Sequence, residues 1–170
     1  MKQLFLLRHA KSSWDDSDLD DHDRPLAPRG ERALKLMAEH LRREGVRPAL
    51  VLCSSAVRTR ETLERIAPAL GEGIAVQVER GLYGASGQGL LERLRAVDDD
   101  VESLMLIGHN PGVAELARSL AGSGRNLADL SGKYPTGALA TLEFSGHWDD
   151  LQPGRAELTD FVTPKQLAKR

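Results

Sequence analysis

The sequence predicts an α/β domain of three layers, α/β/α, with a mainly parallel sheet flanked by helices. Three observations carry that expectation. Three short runs are continuously apolar, each closes on a polar cluster, and amphipathic helical patterns lie between them. The runs are Leu4 to Leu7 before Arg8 and His9, Leu50 to Cys53 before Ser54 and Ser55, and Leu104 to Ile107 before Gly108, His109 and Asn110. A strand with one wet face alternates apolar and polar residues. An unbroken apolar run suits a strand covered on both faces, as in a parallel sheet. Strand and helix signals in alternation give the layered architecture.

The other elements follow in chain order. Leu34, Met37 and Leu41 fall at i, i+3 and i+7 within 29–44, with Pro28 just ahead and Gly45 at the end, which predicts a helix. A second helix starts at Ala56 on the stripe Leu63, Ile66 and Leu70, and Pro68 kinks its last turn or ends it early. Gly71 and Gly73 mark its exit to a short strand at 76–78. Helices are expected at 90–97 and, after Pro111 and Gly112, at 113–120. Strands are expected at 138–144 and 156–162, and the tail beyond Gly146 is expected to add a strand or to mediate association. No repeat, low-complexity tract or linker divides the chain, so 1–170 is expected to be one domain.

Composition narrows the classes. A domain of 170 residues buries roughly 70% of the surface its unfolded chain exposes, so it needs no metal or disulfide staple. Aromatic residues are only 4%, which leaves the core to Leu, Val, Ile and Ala. A net charge of −2 gives no general attraction to nucleic acid or to an anionic membrane. Cys53 is the only cysteine, which excludes an internal disulfide and a Cys-rich zinc site. The first apolar run is too short for a signal-peptide core and no later stretch approaches a membrane span, so a cytoplasmic protein is expected.

In open α/β sheets, ligands bind beyond the carboxyl ends of the strands. If the three apolar strands are neighbours, Arg8, His9, His109 and the segment 54–60 meet in one crevice. Two histidines and arginine serve either a metal or a phosphoryl group. A hydrolytic zinc site usually takes three protein ligands, often two of them at i, i+4 on a helix. No His-x-x-x-His or His-x-His occurs here, and arginine would repel a cation. Phosphoryl transfer wants a nucleophile and positive charge arranged around three equatorial oxygens. Histidine serves as such a nucleophile, and Arg8, Arg58 and a protonated His109 would supply the charge. No metal and no cofactor is expected.

Competing signals are weaker. Six aspartates fall within 15–23, but a calcium loop read from Asp16 has Asp21 where glycine is needed and Ala27 where glutamate is needed. The segment reads as a solvated loop. The sharper alternative makes it a rim of the site, disfavouring small polyanions and tolerating a phosphorylated protein surface with basic residues. Cysteine-phosphatase chemistry needs a spacing between the four residues that separate Cys53 from Arg58 and the six that separate it from Arg60. A buried strand thiol is therefore expected. On a helix Arg58 and Arg60 point about 200° apart, so Arg60 is expected at the surface or beside Glu64. Lys11 and Arg24 are candidate rim cations.

The stretches Leu7 to Ser12, Ser54 to Thr59 and Gly108 to Asn110 resemble the histidine phosphatase superfamily, the phosphoglycerate-mutase-like group. Within that group, Arg8 to Trp14, Asp21 to Leu26, Leu82 to Ala85 and Pro135 to Ala138 are similar to the SixA-type phosphohistidine phosphatases. The resemblance runs from residue 4 to about residue 145. It implies that His9 is the phosphorylated nucleophile, that Arg8, Arg58 and His109 complete the phosphate pocket, and that Tyr134 to Thr136 form a wall. Ser12 falls where related mutases have a phosphate-contacting serine, and Asp15 where they have asparagine. Glu79 lies near, though one residue out of step with, the glutamate that mutase-like relatives use as proton donor. Asn110 stands where the acid-phosphatase branch has an acid. The substrate so implied is a phosphorylated protein, such as a histidine phosphotransfer domain, or a small phosphorylated molecule.

Overall fold

The computed structural model describes all of residues 1–170. In chain order the elements are β1 (Lys2–Arg8), α1 (Pro28–Arg43), β2 (Leu50–Ser54), α2 (Val57–Ile66), β3 (Ala75–Glu79), α3 (Gly87–Arg95) and β4 (Ser103–Gly108). They continue with α4 (Gly112–Leu120), β5 (Ala121–Gly124), α5 (Leu127–Ser131), β6 (Leu139–Phe144), β7 (Ala156–Val162) and α6 (Pro164–Ala168). All seven strands join one sheet in the order β3-β2-β4-β1-β6-β7-β5. Every neighbouring pair is parallel except the two that involve β6, so the sheet is mainly parallel, as expected.

The register explains the unbroken apolar runs. Leu4, Leu104 and Leu50 lie abreast, as do Leu6, Leu106 and Leu52, and one residue out of phase come Leu7, Ile107 and Cys53. Successive side chains leave a strand on opposite faces. One set packs with Leu90 and Leu94 of α3 and Leu116 and Leu120 of α4. The other packs with Leu34, Met37 and Leu41 of α1 and Leu63 and Ile66 of α2. Two cores, one on each face, leave no position on these strands for a polar side chain until the strand ends.

Two alternatives left open by the sequence are decided, and β5, α5 and α6 join the elements read from it. α2 stops at Ile66, and Pro68 sits in a separate 3-10 turn over Ala67–Ala69, so the chain takes the early-ending alternative. β5 and α5 carry no apolar periodicity; β5 is small residues held in the sheet by pairing with β7. The tail adds β7 between β6 and β5, followed by α6 against α1. α6 starts on a capping box in which Thr163 and Gln166 each satisfy the other's backbone N–H. No helix is long and apolar enough to cross a membrane.

Candidate active site

Because β2, β4 and β1 are adjacent and parallel, their carboxyl ends deliver Ser54, His109 and His9 to one edge of the sheet. The His9 and His109 rings lie 5.2 Å apart between centroids. His9 is buried, and its backbone N–H donates to the Gly108 carbonyl at 3.1 Å. Its turn is pinned to α2, where the Thr62 hydroxyl accepts from the Ala10 N–H at 3.1 Å and donates to the Arg58 carbonyl at 2.7 Å. Arg58, at the first turn of α2, is buried beside it.

The ring nitrogens of His9 are distinguished by one contact. Nδ1 lies 2.7 Å from the Ala10 carbonyl oxygen, which can only accept, so Nδ1 carries a proton. Burial pushes the His9 pKa down to about 3, with His109, Arg58 and Arg8 adding to the fall against the opposing Ala10 bond. A neutral ring with its proton on Nδ1 leaves the Nε2 lone pair bare. His109 Nε2 lies 2.8 Å from the Ser54 hydroxyl, and burial followed by Arg58 lowers its pKa to about 4. Without a bound anion, burial thus favours neutral His109, and the positive charge expected on it depends on the phosphoryl group being present. Two arginines this close penalise a further cation, and a phosphate dianion placed among them would raise the histidine pKa again.

The arginines are braced by the rim. Arg8 Nη1 donates to the Tyr134 carbonyl at 3.0 Å, and Asn110 Nδ2 donates to the same oxygen at 2.9 Å. Arg58 donates to the Asp21 backbone carbonyl at 2.6 Å and to its carboxylate at 2.9 Å. The Tyr83 hydroxyl donates to that carboxylate at 2.6 Å. Tyr83 and then Arg58 hold the Asp21 carboxyl below the usual carboxylate range. Tyr83 also meets the His109 ring edge-on at 5.4 Å. Ser12 is buried with its hydroxyl accepting from Arg24, whose guanidinium stacks on Trp14. Four of the five buried polar atoms that lack a hydrogen-bond partner, Arg8 Nε, Arg24 Nε, His109 Nδ1 and Asn110 Oδ1, belong to this cluster. That concentration of unpaired groups is what a ligand site carries and a packed core avoids.

Two candidates from the sequence stand apart. Glu79 ends β3, but its carboxylate takes Arg93 Nε at 2.7 Å and Arg93 Nη2 at 2.8 Å, and this pairing holds its pKa below the usual range. It touches none of the histidines or site arginines. Asp15 is exposed, and its carboxylate makes no hydrogen bond or ion pair. Arg60 is exposed as expected, but its Nε donates to the Ser55 carbonyl at 2.9 Å and it makes no ion pair with Glu64. Cys53 is fully buried, and burial pushes its thiol up to about 12.

A family model described as Histidine phosphatase superfamily (branch 1) matches residues 4–94. The chain belongs to the histidine phosphatase superfamily. It is 39% identical over 163 residues to an uncharacterised protein of Mycobacterium tuberculosis, an alignment covering 94% of this chain and 100% of the other. It is 30% identical over 149 residues to the phosphohistidine phosphatase SixA of Escherichia coli, covering 85% of this chain and 88% of that one. A solved structure from Agrobacterium tumefaciens, provisionally described as a SixA phosphohistidine phosphatase, matches with a TM-score of 0.83 at 31% identity, over 96% of this chain and 98% of the other. The family assignment supports phosphatase chemistry.

Residues that sequence reasoning left without a role complete the cluster. Asp21 and Tyr83 were visible only as parts of longer similar stretches, and nothing in the spacing of 21, 58 and 83 shows that they meet. His22, which carries no motif, lies 2.8 Å from the Ser55 hydroxyl and packs edge-on against Tyr83 at 4.9 Å. All six aspartates of the loop are exposed, and of them Asp21 alone contacts a site arginine, Arg58.

Proposed function

We propose that this chain is a metal-independent phosphatase of protein phosphohistidine, working through a phosphohistidine intermediate on His9. The observation that carries the reading is the Nδ1–H bond of His9 to the Ala10 carbonyl, which leaves Nε2 as a nucleophile that needs no general base. In the first step Nε2 bonds to phosphorus while the P–N bond of the substrate breaks. The substrate ring reacts in the form protonated on its other nitrogen, so the departing nitrogen keeps the electron pair and leaves as neutral imidazole. Arg8 and Arg58 balance the charge on the transferring oxygens. In the second step water attacks phosphorus and passes a proton to a phosphate oxygen, the P–Nε2 bond breaks, and His9 departs as the neutral Nδ1–H ring with inorganic phosphate released.

The substrate class follows from what surrounds the nucleophile. An alkoxide leaving group needs a proton from a nearby acid, whereas imidazole does not. Glu79 is engaged by Arg93, and Asp21 is held ionised by Tyr83 and Arg58, so neither carboxyl is set to donate. A protein substrate is favoured by the open rim, where Trp14 is 70% exposed beside the buried Arg24 and Ser12. Such an activity would damp a phosphorelay.

The test is phosphate release from a phosphohistidine-bearing protein and from p-nitrophenyl phosphate, side by side, with wild type and His9→Ala. Release from phosphohistidine that is lost in His9→Ala is expected. Turnover of the ester alone would transfer the function to small phosphomonoesters, and turnover of neither would overturn the reading.

A further inference from the structure

Beside the site lies a cleft of about 430 Å³ whose chemistry the proposed reaction does not use. Four cations line it, Lys11, Arg29, Lys133 and Lys165, and no carboxylate does. They come from four separate segments: the turn after β1, the start of α1, the loop before β6 and the start of α6. All four are exposed and none makes a salt bridge, in a chain whose net charge is −2. The positive end of the 16-residue helix α1 opens at the same place.

The cleft is joined to the nucleophile by backbone. Lys11 is two residues from His9, and the Gly137 N–H, at the end of the wall formed by Pro135 and Thr136, donates to the His9 carbonyl at 2.9 Å. Its floor is tightly packed. A Cβ on Gly30 would lie 2.2 Å from the Lys11 carbonyl oxygen, and one on Gly137 would lie 2.9 Å from the Pro164 ring. The four cations therefore stand on a fixed frame while their long side chains remain free to reach.

We propose that this cleft docks an acidic segment of the phosphorylated protein; the proposal rests on reading the site as a protein phosphatase. A discrete small anion is best held by preorganised donors that converge on it. Here none of the four cationic side chains hydrogen-bonds to the protein, and at the start of α6 the Thr163–Gln166 capping box occupies the Thr163 and Gln166 N–H groups. Dispersed flexible cations suit carboxylates spread along a protein surface instead. With Asp21 against Arg58 and the other aspartates of 15–23 exposed along the same loop, the mouth is acidic on one side and basic on the other. Such a dipolar mouth orients a partner of complementary polarity and rejects the reverse orientation.

The experiment compares two phosphohistidine peptides, one with glutamates on one side of the phosphohistidine and one with glutamines in their place. It uses wild type and the double variant Lys133→Glu/Lys165→Glu. Wild type is expected to prefer the glutamate peptide about tenfold in kcat/KM at low ionic strength, through KM. The preference is expected to vanish in high salt and in the double variant, while the glutamine peptide is turned over alike by both proteins. Equal use of the two peptides by wild type overturns the docking proposal. If neither peptide is hydrolysed, the phosphatase reading fails separately, and docking is then read from fluorescence anisotropy of the unphosphorylated glutamate peptide. Salt-sensitive binding lost in the double variant supports it, and no binding overturns it. Tighter competition by pyrophosphate or by a single-stranded oligonucleotide than by the peptide would also overturn it, assigning the cleft to small anions or to nucleic acid.

Discussion

His9 and His109 are chemically the same side chain as His147, yet their surroundings separate them widely. Burial lowers His9 to about 3 and His109 to about 4, while the exposed His147 is raised by its hydrogen bond to Asp99. In an NMR titration of the imidazole carbons, His147 is therefore expected to titrate above the ordinary imidazole value of about 6.5, and His9 and His109 to stay neutral until well below it. Titration of His9 or His109 near neutrality would contradict the burial and the tautomer from which the nucleophile is derived. The sign for stability follows. A histidine whose folded pKa is depressed stabilises the fold fully above its unfolded pKa, and that contribution is lost as pH falls toward the folded value. Acidification from about 6.5 toward 4 and then 3 should thus destabilise the protein through these two residues. His9, His109 and Arg8 were legible in the sequence because each falls within two residues of the end of an apolar run. The Asp21–Tyr83 brace on Arg58 was not, because it joins two loops and a helix across the sheet edge, and the sheet order that brings them together is not written in any local spacing.

At the level of elements, α1 reaches the site because Gly30 lets its first turn lie against the Lys11 backbone. Gly30→Ala should gain up to about 1 kcal/mol in helix propensity. That gain is outweighed, because the new Cβ would stand 2.2 Å from the Lys11 carbonyl oxygen, a backbone atom that cannot swing aside. Forcing α1 away costs on the order of 1–3 kcal/mol and also strains the Ala27 N–H bond to the same carbonyl, at 2.9 Å. The expected result is a lower urea midpoint together with reduced phosphate release, since Lys11 is two residues from His9; a midpoint at or above wild type would show that α1 does not pack where described. The sequence made α1 legible through Pro28, Gly45 and the Leu34–Met37–Leu41 stripe, but gave no sign of what Gly30 touches. Unbroken apolar runs likewise revealed the central strands, whereas β5, four small residues of which three are exposed, exists only because β7 pairs with it. α6 did carry a readable signal, Thr163-Pro164 with Gln166 three residues on, which is the capping-box pattern.

For the whole molecule, the two cores share the strands between them. Leu4, Leu6, Leu104 and Leu106 face the α3–α4 side, and Phe5, Leu7, Met105 and Ile107, their immediate neighbours in sequence, face the α1–α2 side. Neither core can open without losing register in β1 and β4, so the two should unfold together. Each core holds one natural reporter. Cys53 lies in the α1–α2 core, fully buried with its thiol raised to about 12, and Trp148 lies fully buried in the other. In the native state, labelling of Cys53 by a thiol reagent requires an opening of β2, an inner strand between β3 and β4. Its labelling should therefore remain slow at low urea and rise along the same curve as the fluorescence change of Trp148, read against a Trp14→Phe background because Trp14 is exposed. Rapid labelling without denaturant would remove Cys53 from the core and β2 from its place in the sheet. Labelling that rises at lower urea than the Trp148 transition would show instead that the α1–α2 side opens alone. That side carries α1 and α2, and with them Arg58, so it would then be the half of the molecule free to move around a bound phosphorylated substrate.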